Sequence, residues 1–192
     1  MDVELLVTTA LYFVGAVVAF RVARMFTTPL LRWLGFYTYY APMFFLQPFG
    51  RDRKEMHLGT LWDFLRNWPI TPLTLMRDLA RGLAGVAEDV RNGTIAPETV
   101  LRGTTYYLSA QTLQRYGFLV RKPYPLEYAA FALNYIEVCI LKSLVTGRPT
   151  LVDVRRVIMV HIRADALVAN AHHLNATARQ LQYGSKQARE AA

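Results

Sequence analysis

Residues 36–45 read FYTYYAPMFF, six aromatic rings in ten positions and no charge. A surface facing water rarely carries such a run, because each ring holds a large apolar area. Three arrangements would cover it: the core of a domain, a second membrane span, or a belt lying along the membrane surface. The rest of the chain has to decide among them.

At 192 residues the chain has room for one compact domain and an anchor. Its composition is 53% hydrophobic and 19% charged, with a mean hydropathy of +0.17. That is too apolar for an ordinary soluble protein and too charged for a fully embedded one. The chain is expected to be partly membrane and partly water-exposed. The single cysteine, Cys139, excludes an intramolecular disulfide and reads as a small apolar core residue.

Residues 5–20, LLVTTALYFVGAVVAF, are uncharged. They are short of the ~20 residues a span takes, but Val22, Ala23, Met25 and Phe26 extend them if Arg21 and Arg24 reach back to the interface. The start is acidic (Asp2, Glu4) and the exit arginine-rich, unlike a cleaved secretory signal, so the segment reads as a retained anchor over 1–26. Arg32, Arg51, Arg53 and Lys54 follow it, and the positive-inside rule then puts the N-terminus outside and the rest in the cytoplasm, as in a prokaryotic inner membrane. The net charge of +8 fits anionic headgroups. No nucleic-acid signature accompanies it, and nucleic acid is not expected as a partner.

Within this frame the aromatic run belongs to a segment, 27–54, expected to rest on the inner interface. A second span over residues 30–49 is the alternative, since only Arg32 is charged there. Against it stand Pro29, Pro42, Pro48 and Gly35, and basic residues on both sides. Trp33, Phe36, Tyr37, Tyr39, Tyr40, Phe44 and Phe45 are the expected contacts with lipid or with another membrane protein.

From residue 55 the punctuation is helical, and the expected fold class is all-α: a transmembrane helix, the interfacial segment, then a cytoplasmic bundle over 55–192. Thr71-Pro72 opens a helix and Asn92-Gly93 closes it, with Leu75, Leu79, Leu83, Val86 and Val90 along one face. A second helix is expected from Pro97 to before Gly117, and a third from Pro125 to Thr146 with Gly147 as its stop. No alternating strand stands out, and GFLVRKPYP is the one segment that could be extended. Thr150 with Asp153 resembles a capping box for a long fourth helix reaching about residue 182, with a frayed tail from about 184. Along it Val157, Val160, Ala164, Leu167, Ala171, Leu174, Ala178 and Leu181 alternate spacings of three and four, a seam for close packing within the bundle or on a partner helix.

Motifs for chemistry are sparse. On a helix, His161, Asp165 and His172 would share a face and offer metal ligands or an acid–base pair. His57 in EMHLGTLWDF would bind a headgroup or cap a helix. Phosphate loops, nucleophile elbows, HExxH and CxxC do not occur, and no cofactor is expected. Asn92 and Asn175 head Asn-x-Thr tripeptides that a cytoplasmic location would leave unmodified. The leading expectation is a non-catalytic, membrane-anchored accessory subunit of a larger membrane complex, with the bilayer and other subunits as partners. A membrane-associated enzyme using His161, Asp165 and His172, and a lipid-binding or transport component, are the alternatives.

Overall fold

The computed structural model describes residues 2–174, 176–177 and 179–181, with the side chains of Ala10 and Arg21 excepted. The chain is α/β, not all-α. Helix α1 (Val3–Trp33) is followed by strands β1 (Thr38–Ala41), β2 (Phe44–Pro48) and β3 (Arg53–His57). Then come α2 (Leu61–Arg66), α3 (Pro72–Arg91), β4 (Val100–Thr105), α4 (Ala110–Arg115), β5 (Leu119–Arg121), α5 (Pro125–Thr146), β6 (Ile158–Arg163) and α6 (Ala164–Ala169). The strands form one six-stranded sheet in the order β1-β2-β3-β4-β6-β5. Every neighbouring pair is antiparallel except β3 and β4, which are joined through α2 and α3 as a parallel pair must be joined by a crossover.

The aromatic run is core. Tyr39 pairs with Phe45 across a hairpin that turns at Pro42-Met43, and Met43, Phe44 and Phe45 are fully buried. Both faces of this hairpin are covered. On one face Tyr40 donates to Asp89 of α3 at 2.6 Å, and on the other Tyr39 donates to Asp63 of α2 at 2.8 Å. A strand buried on both sides has no reason to alternate, so it reads as a continuous apolar run. The interfacial segment expected at 27–54 is therefore overturned: it holds the last turns of α1, the hairpin and the first two residues of β3.

Helix α3 has the boundaries its caps dictate. Thr71 Oγ1 accepts from Thr74 N at 3.1 Å, Pro72 occupies the first turn, and Asn92 ends the helix. Its inner face, Leu83, Val86, Ala87 and Val90, packs on Phe44, Leu46, Leu101, Val160 and Ile162 of the sheet. Gly82 lets the helix come close enough that a Cβ there would meet the Phe44 side chain.

The expected long fourth helix does not form. Residues 154–156 make a single 3-10 turn, 158–163 are the strand β6 between β4 and β5, and helix begins only at Ala164. The seam packs inside its own domain: Val160 lies in β6, Ala164 and Leu167 in α6, and Ala171 and Leu174 in helical turns after Asn170, all buried in the main core. Leu181 is half-buried, while Ala178, Asn175 and the tail from 184 lie outside the described residues. The helix expected from Pro97 is also replaced, by β4 and the short α4.

Two helices, α1 and α5, are long and apolar enough to cross a membrane. None of the most apolar 18 residues of α1 is buried. Toward its C-terminal end the half-buried Val17, Arg24 and Met25 and the buried Thr28 share one side, and the Arg32 guanidinium sits 4.3 Å over the Tyr39 ring. Pro29 is accommodated in the helix, and Gly35, at φ 77°, turns the chain from α1 into β1.

Candidate functional site

The face of the sheet opposite α3 carries most of the polar chemistry. Register places Phe45 beside His57, Glu55 beside Arg102, and Arg102 beside His161, which in turn faces Leu119 of β5. The rings of Tyr39, Phe45 and His57 stack in a row, with Tyr39–Phe45 centroids 4.9 Å apart and Phe45–His57 centroids 5.0 Å apart at 17°. Next to that row Arg102 Nη2 lies 3.5 Å from Glu55 Oε1, and its guanidinium lies 3.7 Å over the Phe49 ring. His57 Nε2 is 3.6 Å from Glu55 Oε2, an ion-pair distance too long for a hydrogen bond. The imidazole contributes most to holding the Glu55 carboxyl below its ordinary range, and Arg102 adds to it, against burial that pushes the other way. The buried Nε of Arg102 and Nε2 of His57 have no hydrogen-bond partner among the described residues.

At the sheet edge Arg121 grips Glu127 with both terminal nitrogens, each at 2.6 Å, and lies over the Tyr124 ring at 4.2 Å. Glu127 also accepts from Tyr124 N at 2.8 Å, which caps α5. Arg102 and Arg121 of this face are thus each matched by a glutamate. These pairs fix β3 to β4 and β5 to the start of α5, without presenting a nucleophile beside a base. No group of three or more His, Cys, Asp or Glu that could hold a metal occurs among the described residues.

The three residues expected to share a helix face are separated. His161 lies half-buried on the polar sheet face in β6. Asp165 is exposed in the first turn of α6, where Arg163 holds it at 2.7 Å and lowers its carboxyl pKa. His172 is exposed further along, its ring 5.7 Å from that of His173. No hydrogen bond or ion pair among the described residues joins any two of them.

The expected aromatic contacts divide into two groups. Tyr37, Phe44 and Phe45 are buried and Tyr39 and Tyr40 half-buried, all within the domain. Trp33 and Phe36, at the end of α1, stay 80% and 56% exposed.

A further apolar surface lies on α5. Its inner side packs Phe131, Cys139, Tyr128, Tyr135 and Val138 against Tyr106, Val152 and Val157. Its outer side shows Leu126, Ala129, Leu133, Ile136 and Ile140 to solvent. This surface had a signal in the sequence, because 22 residues of α5 contain only Glu127, Glu137 and Lys142 as charges. A core helix reads the same way, so the pattern alone does not separate the two.

Helix α5 is held to the domain along its length. Glu127 binds Arg121 near one end, Tyr135 OH donates to the Val152 carbonyl at 3.0 Å in the middle, and Leu141 and Val145 pack with Met43, Phe64 and Ile70 near the other. A helix tied this way lies along the domain surface. No protein-family model matches this chain, and neither a curated protein nor a solved structure does.

Proposed function

We propose that the chain is a non-catalytic, membrane-anchored accessory subunit that stabilises a larger membrane complex. One observation carries this reading: α1 is an apolar helix of 31 residues, and none of its most apolar 18 residues is buried by the rest of the protein. In water that surface would be costly at about 25 cal/mol per Å², and a bilayer removes the cost. The C-terminal turns of α1 belong to the fold, through buried Thr28 and through Arg32 on Tyr39, which supports retention of the helix as an anchor. Basic residues after the apolar stretch, Arg24, Arg32, Arg51, Arg53 and Lys54, favour a cytoplasmic domain with the N-terminus outside. The Arg–Glu pairing on the sheet face and the dispersal of His161, Asp165 and His172 favour a binding role over a catalytic one. Trp33 and Phe36, exposed where α1 meets the domain, are the partner contacts.

Carbonate extraction should leave the full chain in the membrane pellet, and release into the soluble fraction would refute the anchor. Purification in mild detergent should recover stoichiometric membrane-protein partners, and Trp33→Ala with Phe36→Ala should weaken that recovery without altering the circular dichroism. Recovery as a lone monomer by the same procedure would refute the subunit reading.

A further inference from the structure

We propose that the outer face of α5 lies flat on the anionic surface of the bilayer, beside the point where α1 emerges. The inference rests on the anchor reading above, which brings the domain to that surface. Leu126, Ala129, Leu133, Ile136 and Ile140 follow spacings of three, four, three and four, so they form one apolar stripe about 21 Å long at ~1.5 Å per residue. Leu126 and Ile136 are 81% and 74% exposed, values that a helix facing water seldom shows at two such residues in one stripe. The segment that follows α5 returns along the inner side of the helix. Lys142 Nζ donates to the Leu151 carbonyl at 3.0 Å and Val152 N to Cys139 Sγ at 3.3 Å, so residues 151–152 run alongside the helix. There Leu151 and Val154 are exposed, next to the exposed Arg155 and Arg156.

Two features select lipid as the occupant. The first is position: α1 abuts α2, and α2 abuts α5, so α5 lies close to the part of the domain that meets the anchor. The second is charge. Lys122 and Arg148 are exposed at the two ends of α5, and Arg155 and Arg156 stand beside Leu151 and Val154. An apolar strip with basic residues at its two ends, bordered on one side by Glu137, matches acyl chains below and anionic headgroups at the ends, the pattern of an in-plane interfacial helix. Because both ends of α5 are tied to the domain, the helix can reach the hydrocarbon boundary with one side only.

The test uses the full chain in nanodiscs of phosphatidylcholine with one quarter phosphatidylglycerol. A fluorescent NBD group is placed at Ile136→Cys or Leu126→Cys in a Cys139→Ser background whose circular dichroism matches the parent. Val14→Cys reports the anchor and Asn92→Cys, at the end of α3, a water-facing position. Lipids carrying a nitroxide on the acyl chain should quench the labels at 136 and 126 by about half, and the label at 14 at least as strongly, while 92 stays bright. Replacing all phosphatidylglycerol by phosphatidylcholine should reduce quenching at 136 and 126 and leave 14 unchanged. Bright labels at 136 and 126 with a quenched 14 would overturn the inference and leave the anchor standing. Disulfide-linked pairs formed through Ile136→Cys in those bright samples would identify a second copy as the occupant. A bright label at 14 would overturn the anchor as well.

Discussion

The tightest glycine contact among the described residues, between Gly82 of α3 and Phe44 of β2, gives the fold a direct test. A Cβ at position 82 would lie 2.8 Å from Phe44 Cβ and nearer still to the ring, where ordinary carbon contacts need about 3.5–4.0 Å. Phe44 is fully buried, and a conflict with its Cβ cannot be relieved by turning the ring, so α3 must move off the sheet. Overpacking of this kind costs about 1–3 kcal/mol, and the clash with Cβ puts Gly82→Ala at the upper end of that range. Exchanging glycine for alanine inside a helix returns about 1 kcal/mol. The net loss is about 2 kcal/mol, which for a chain of this size lowers Tm by about 4–8 °C. Thermal unfolding followed by circular dichroism in detergent micelles measures it. Gly15→Ala, inside α1 where nothing lies within 4 Å, is the control: it keeps the helix-propensity gain without the clash and should raise Tm by about 2–4 °C. In a bundle with no sheet beneath α3, the same substitution would gain the helix-propensity term and raise Tm. A Gly82→Ala protein as stable as the parent would therefore refute the packing of α3 on β2.

Three further outcomes follow from the geometry. Asp63→Ala should cost about 3 kcal/mol or more, because one buried carboxylate oxygen accepts from Thr60 N, Thr60 Oγ1 and Tyr39 OH at 2.7–2.8 Å, and denaturant titration would show it as a lowered midpoint. Glu55 has a folded pKa below the ordinary value of 4.5, so its contribution is present above that value and is lost as pH falls below it. Glu55→Gln should accordingly flatten the acid limb of the stability profile, and an unchanged slope below pH 4.5 would remove the Glu55–His57–Arg102 ion pairing from the account. Ala171→Leu should destabilise by about 1–3 kcal/mol, since Ala171 is fully buried, whereas His172→Ala, at an exposed position, should stay within about 0.5 kcal/mol by thermal melt.

Legibility in the sequence followed local chemistry. The caps Thr71-Pro72 and Asn92 set α3, and Pro125 and Gly147 set α5, because each acts on its own turn without help from elsewhere in the chain. The strands were hidden for two different reasons. Strand β2 is buried on both faces and shows no alternation, while β4 reads VLRGTT, where buried Gly103 interrupts the apolar side of an alternation that is otherwise present. The polar sheet face could not be read at all from sequence. Glu55, Arg102 and His161 are neighbours only through the register of three strands far apart in the chain.

The seam at 157–181 shows how a strand can pass for the start of a heptad. In β6, Val160 and Ile162 face the main core two residues apart, and α6 then begins at Ala164, also two residues on, before Leu167, Ala171 and Leu174 continue at helical spacing. Skipping Ile162 turns that series into spacings of four, three, four and three from Val160, so the helical pattern absorbs the strand without a visible break. What marks the true boundary lies off the seam. Arg163 closes β6 opposite Val100, and the next two amides, Ala164 N and Asp165 N, bond to the carbonyls of Thr99 and Pro97 at 2.9 and 3.0 Å. These long-range bonds dock the first turn of α6 against the chain that enters β4, and an amide bound outside its own helix is a first-turn amide. The displacement matters for function because it moves His161 onto the open sheet face beside Arg102, away from Asp165 and His172. The residues that looked most like a catalytic cluster thus owed their association to the wrong period.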